Sequence, residues 1–254
     1  MKIRMCSALV LSGLSALASA VDVNGELDWA NRVTLSVPVS GIVATVSVRP
    51  GEAVAAGQSL LSLDAREVQA RVAHANSAVK KLVLHRAEAE REWQRAQELF
   101  DRTVLSEREL QLAEIGLNDA DAAYQAAQAE RIAAEVALEC HSLKAPFAAW
   151  VLAVPVAPGQ AIVNTQQATP LVTLAARDLM RARANVDAAY VATLKADAAV
   201  AVRVGEQRFD ARLVQIGLEP IGSQRPPQYP VEVEFKVPVE VQLRAGQAAV
   251  LELP

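Results

Sequence analysis

The sequence predicts an elongated α+β fold: a small β-unit interrupted by a long antiparallel helical hairpin, followed by a small β-barrel domain. Three observations predict it. A helical repeat runs from about Ala65 to Glu139 and is broken only at Arg102 to Ser106. Short β-type segments flank it, Thr34 to Asp64 before and Leu143 to Leu174 after, and both flanks carry the same turn motif. Residues 175–254 then read as spaced strands. A chain that leaves a β-unit along one helix, returns along another and completes the unit builds a projecting arm, so its function involves reach.

Length and composition fit this. The 254 residues allow one large or two ordinary domains, and 52% hydrophobic residues suffice for a packed core. Aromatic residues make up only 4% while alanine is frequent, which favours thin, closely packed helices over one bulky core. The formal charge of −4, without a basic block, leaves no electrostatic footprint for nucleic acid.

Met1 to Ala20 read as a secretory signal peptide, with Lys2 and Arg4 before an apolar run and Ala18-Ser19-Ala20 as the small-residue cleavage pattern. The apolar run is shorter than the roughly 20 residues of a spanning helix, so cleavage after Ala20 is favoured over retention as an anchor. Losing Lys2 and Arg4 and no acid takes the charge from −4 to −6. Cys6 lies inside this leader without a Leu-x-x-Cys setting, so the mature chain keeps Cys140 alone and has no intrachain disulfide.

In chain order, Val21 to Arg32 is short and polar, either a linker or the first strand of something completed later. From Thr34 the pattern is β-branched and alternating: Thr34 to Val37, Ile42 to Val48 and Leu60 to Leu63. Arg49-Pro50-Gly51-Glu52 and Ala56-Gly57-Gln58 supply tight turns between them. After Asp64, the expected N-cap, the period changes. Val68, Val72, Ala75, Val79, Leu82, Arg86, Ala89, Trp93, Ala96 and Phe100 recur at alternating spacings of four and three. On the return arm Leu110, Ala113, Leu117, Ala120, Tyr124, Ala127, Arg131, Ala134 and Leu138 do the same, and Ser106 with Glu109 predicts a capping box. Two heptad arms joined by a few residues are an antiparallel coiled-coil hairpin over residues 65–140. At 1.5 Å per residue it reaches on the order of 50 Å.

Pro146 stops the return helix. Trp150 to Val154, Ala161 to Val163 and Leu171 to Leu174 follow as strands, with a turn at Ala157-Pro158-Gly159-Gln160 that repeats Arg49-Pro50-Gly51-Glu52. Two copies of one motif imply a pseudo-symmetric sandwich. In residues 175–254 a short helix is expected from Ala188 to Lys195 behind Asp187. Strands are expected at Ala199 to Val204, Phe209 to Ile216, Tyr229 to Val237 and Ala248 to Leu253, closing a small barrel.

Catalytic and metal constellations are thin. His74 and His85 share a helix face but stand roughly 16 Å apart by the helical rise, too far for one metal. No Gly-rich phosphate loop, Gly-x-Ser-x-Gly elbow or His-Glu-x-x-His occurs. The reading is of a non-enzyme without a cofactor, catalytic residue or metal site.

Pro38-Val39-Ser40-Gly41-Ile42-Val43, Val48-Arg49-Pro50-Gly51-Glu52-Ala53-Val54, Gly57-Gln58-Ser59-Leu60-Leu61 and Leu63-Asp64 resemble the first lipoyl half-motif of the periplasmic membrane fusion proteins, HlyD-like adaptors of RND-type efflux systems. Leu143-Lys144-Ala145-Pro146-Phe147, Pro158-Gly159-Gln160 and Pro170 to Leu174 resemble the second half-motif, and Leu243 to Ala248 the end of that family's barrel. The resemblance implies a lipoyl-like, barrel-sandwich hybrid domain at residues 34–64 and 143–174, and a barrel at 175–254. It also implies that Arg95, Leu99 and Ser106, at the family's tip spacing, dock a TolC-like outer-membrane channel. The expected role is a periplasmic adaptor, peripheral to the inner membrane, which self-associates as a hexamer and links a transporter of the RND type to that channel. An adaptor of an ABC or type I secretion pump is the nearest variant. A lipoyl or biotinyl carrier is the competing class, but carriers need a lysine at the junction of the halves, where this chain has Asp64-Ala65-Arg66. Two departures stand out. Ala148-Ala149-Trp150 replaces the family's Asp-Gly after Ala-Pro-Phe, and the membrane-proximal domain built from both chain ends is expected to be absent.

Overall fold

The computed structural model describes residues 21–164, 167–222, 226–238 and 240–254; the expected leader, Met1 to Ala20, lies outside them. The chain runs β1 (Val21–Trp29), β2 (Arg32–Leu35), β3 (Gly41–Val46), β4 (Ala53–Val54), β5 (Ser59–Leu63), α1 (Arg66–Asp101), α2 (Glu107–Glu139), β6 (Ser142–Lys144), β7 (Ala149–Ala153), β8 (Ala161–Ile162) and β9 (Val172–Ala176). Then follow β10 (Leu179–Asp187), α3 (Ala188–Val191), β11 (Ala199–Val204), β12 (Gln207–Ile216), β13 (Gln228–Lys236) and β14 (Ala248–Leu253). The fold is α+β, with two compact units: Arg32–Ala176, and Arg177–Pro254 joined by the residues up to Asn31.

In the first unit two four-stranded sheets form a sandwich, in orders β2-β9-β7-β4 and β6-β5-β3-β8. Exchanging β2 with β6, β3 with β7, β4 with β8 and β5 with β9 turns one order into the other. The repeat in the sequence is therefore a two-fold repeat in space, and each sheet takes two strands from each side of the hairpin. Leu60, Leu61, Val151, Leu171, Val172 and Leu174 are completely buried between the sheets. The repeated turn closes identically in both halves. Gly51 and Gly159 have φ of 87° and 86°, a conformation only glycine adopts without strain. Glu52 and Gln160 each accept a hydrogen bond from the amide three residues earlier, Arg49 N at 3.0 Å and Ala157 N at 3.2 Å. The bend at 146–148, where the family's glycine is missing, contains no residue at positive φ. Ala149 there is fully buried and pairs with Val54.

The second unit is a closed barrel in the order β1-β10-β13-β12-β11-β14. Of the two readings left open for residues 21–32, the strand is the one observed: β1 pairs with β10 on one side and β14 on the other. Gly25 lies where a Cβ would come within 2.5 Å of the Arg183 carbonyl oxygen and 2.8 Å of Leu251, so no side chain fits at this crossing. Strand β10 was not expected from the sequence. Its Met180, Ala182, Ala184 and Val186 alternate inward, but alanine and arginine between them carry little β preference. The helix expected at Ala188 to Lys195 is a single turn, Ala188–Val191. Asp187 does precede it, but its carboxylate accepts from Gln228 Nε2 instead of capping. Phe209 and Phe235 pack in the core with ring centroids 5.1 Å apart.

Candidate docking site at the hairpin tip

The tip is positioned by two long arms with an alanine-rich seam. Val68, Ala75, Ala89 and Ala96 of α1 and Ala120 and Ala134 of α2 are buried, and the other expected seam residues are half-buried, with one exception. Phe100, read as the last seam residue, is exposed at 37%. It lies next to the last residue of α1, where the arms end.

At the root, Asp64 is not the N-cap. Its amide donates to the Ile42 carbonyl in the sheet (2.8 Å), and the helix starts one residue later with Ala65 as N-cap. The Asp64 carboxylate instead receives Arg66 Nε, Nη2 and backbone N–H at 2.6–3.1 Å. These bonds, the Arg66 side chain first, lower its pKa to about 2. The junction where a carrier would present a lysine is thus an aspartate–arginine pair.

At the far end, α1 stops in a Schellman ending: Thr103 N–H donates to the Phe100 carbonyl (2.8 Å) and Val104 N–H to the Leu99 carbonyl (2.9 Å). This ending requires a left-handed residue, usually glycine, and Thr103 takes it with φ 58°. A β-branched residue in that region is strained. Helix α2 opens on the expected capping box. Ser106 Oγ accepts from Glu109 N–H at 3.4 Å, and Glu109 Oε2 accepts from Ser106 N–H at 3.0 Å. The Ser106 hydroxyl also donates to Glu109 Oε2 at 2.6 Å. The bonds from Ser106, hydroxyl before amide, hold the Glu109 carboxyl below its ordinary range.

Arg95 and Leu99 therefore lie one turn apart near the end of α1, with Arg95 exposed and Leu99 half-buried under the closing turn. Ser106 is exposed at the start of α2. Arg91, one turn before Arg95, is engaged by Glu88, and among the described residues no acid pairs with Arg95 within 4 Å. The sequence reading did not single out Val104, which is 70% exposed. With Phe100 it adds an apolar element to a tip otherwise marked by Arg95, Arg102 and Arg108. Its neighbour Leu105, the other apolar residue of the 102–106 turn, is half-buried, and the sequence alone does not tell the two apart.

A split sandwich carrying a helical hairpin between its halves is a known arrangement. Residues 31–175 match the CzcB-like barrel-sandwich hybrid domain. The chain belongs to the membrane fusion protein family, the periplasmic adaptors. A 195-residue stretch is 28% identical to the macrolide export protein MacA of Escherichia coli O157:H7, covering 70% of this chain and 52% of that protein. The chain thus spans about half the length of the curated relatives it matches. Among solved structures, the membrane fusion protein Spr0693 from Streptococcus pneumoniae R6 shares the fold at TM-score 0.68 and 18% identity, over 92% of this chain and 98% of that one. A MacA–MexA chimera carrying the α-hairpin domain of Pseudomonas aeruginosa MexA does so at TM-score 0.65 and 20% identity, over 92% and 78%.

Proposed function

We propose that this membrane fusion protein is a non-enzymatic periplasmic adaptor of a tripartite efflux system, linking an inner-membrane transporter to a TolC-like outer-membrane channel. The observation that carries the proposal is the hairpin itself. It leaves the sandwich between two matched half-motifs, and its tip presents Arg95, Leu99 and Ser106 at the family's docking spacing. The relatives named as macrolide export proteins support an efflux role. Export by the Met1 to Ala20 leader places the chain in the periplasm, and a ring of copies, six in the family, stands its hairpins together beneath the channel. No described helix is long and apolar enough to cross a membrane. Arg95 supplies a charge for carboxylates or carbonyls on the channel's helices, Leu99 an apolar contact, and Ser106 a hydroxyl whose lone pair is shared with its cap.

The test is the pair Arg95→Asp with Ser106→Arg in cells that depend on this adaptor. Efflux and copurification of the channel are expected to be lost while protein levels stay normal, and Arg95→Asp alone, which leaves the Ser106 capping box in place, is expected to reduce both with helicity unchanged. Retention of both would remove the tip from the mechanism. Whether the transporter is of the RND or the ABC class is decided by which pump copurifies with the unaltered protein.

A further inference from the structure

An alanine seam holds two helices close but says little about how far one is rotated or slid along the other, because every alanine layer looks like the next. Polar residues inside such a seam are what specify alignment, at some cost in stability. This hairpin has two, Arg86 on α1 and Arg131 on α2, and both bury their Nε without a hydrogen bond. They differ in what they reach. Arg131 pairs with Glu135 of its own helix at 3.3 Å, one turn on. Arg86 reaches across to the other arm, with Nε 2.6 Å from Asp121 Oδ1 and the guanidinium carbon 5.7 Å from the centre of the Tyr124 ring. The Nε–H is not aimed at the carboxylate, so the contact is an ion pair and a cation–π contact, not a linear hydrogen bond. Every other ion pair of the hairpin among the described residues, Arg71–Glu67, Arg91–Glu88 and Arg131–Glu135, stays within one arm.

We infer that Arg86 is a positioning residue: clamped between Asp121 and Tyr124, it sets the rotation and axial offset of the two arms and so the placement of Arg95 and Leu99 relative to Ser106. The clamp lies nine residues before Arg95, about 14 Å along the helix, close enough to the tip for a misalignment there to be transmitted. This inference rests on the docking role proposed above. It explains why the apolar repeat is broken by an arginine, the position where an aliphatic residue would bury more apolar surface.

The experiment uses the full mature chain in a Cys140→Ser background, with spin labels at the exposed positions Gln97 and Arg108 on opposite arms. Distances between the labels and photo-crosslinking of the tip to the channel are both recorded. The unaltered clamp is expected to give one narrow distance distribution. Arg86→Met, which keeps the bulk and removes the charge, is expected to hold or raise the melting temperature while broadening the distances and lowering crosslinking to the level of Arg95→Asp. A merely structural arginine would make stability and docking fall together. Asp121→Asn serves as the second variant should Arg86→Met unfold, with the same broadening expected, and the exchange Arg86→Asp with Asp121→Arg should restore a narrow distribution. Narrow distances in both Arg86→Met and Asp121→Asn would overturn the inference whatever happens to crosslinking. Broadened distances in a protein whose unaltered tip never crosslinks to the channel would uphold the clamp and remove the docking role instead.

Discussion

The barrel and the hairpin bury apolar surface in opposite ways. In the barrel, Leu27, Leu213, Val233, Phe235 and Leu251 fill a closed interior and are almost inaccessible. In the hairpin the buried residues are almost all alanine, and large apolar residues such as Leu84, Leu112 and Ile115 stand more than half exposed. Closure explains the difference. A six-stranded barrel has an inside whose volume must be filled, whereas two helices meet along a line and come closest when the residues on it are small. The barrel is therefore sensitive to what is removed from it and the hairpin to what is added.

The largest effect is expected in the barrel. Phe235→Ala removes a buried ring packed against Phe209 and should destabilise the barrel by about 3–5 kcal/mol, read from its denaturant midpoint. A loss under about 1 kcal/mol would mean that the interior collapses around the gap and is not close-packed. In the hairpin the same kind of truncation has little to remove, but Ala89→Leu should cost about 1–3 kcal/mol by forcing the arms apart, seen as lost helicity on heating. A neutral result would break the contrast between the two regions.

A smaller gain is expected at the tip. Thr103→Gly relieves a left-handed β-branched residue and should stabilise the hairpin by about 1 kcal/mol, whereas Thr103→Val should gain nothing. If the strain serves docking, the stabilised variant will crosslink to the channel less well, and an unchanged yield would show that the strain is incidental.

The least effect concerns acid. Asp64 at the root and Glu109 at the tip both titrate lower when folded, through hydrogen bonds from Arg66 and Ser106. Their stabilisation is complete above the unfolded values near about 4 and is lost as pH falls through the folded ones, about 2 for Asp64. The hairpin's melting temperature should stay level from about pH 7 to 5 and decline below about 4. Glu109→Gln should make the decline shallower. The barrel's own acids contribute separately, so the measurement follows helical ellipticity.

Much of this was legible from residue order. The hairpin could be read because a repeat of four and three leaves no other periodicity, and the sandwich because its turn motif occurs twice. Strands β11 and β14 coincide with the strands expected at Ala199 to Val204 and Ala248 to Leu253. Strand β10 escaped because Arg181-Ala182-Arg183-Ala184 offers no β-branched residue, and its alternation becomes visible only when Met180 and Val186 are seen facing the same core. Asp64 was a sound candidate for a cap, but its carboxylate is taken by the Arg66 side chain and Ala65 stands at the N-cap instead. At the tip, the spacing of Arg95, Leu99 and Ser106 could be read directly. The φ of Thr103 could not, since it is imposed by the closing turn and not by threonine's own preference.

In the proposed assembly the hairpin tip, and not its root, meets the outer-membrane channel. Incorporating a photoreactive residue in turn at Val104 in the tip and Gln69 near the root, both exposed, and irradiating intact cells tests it most directly. A crosslink to the channel is expected from Val104 and none from Gln69. A channel crosslink from Gln69 without one from Val104 would contradict it.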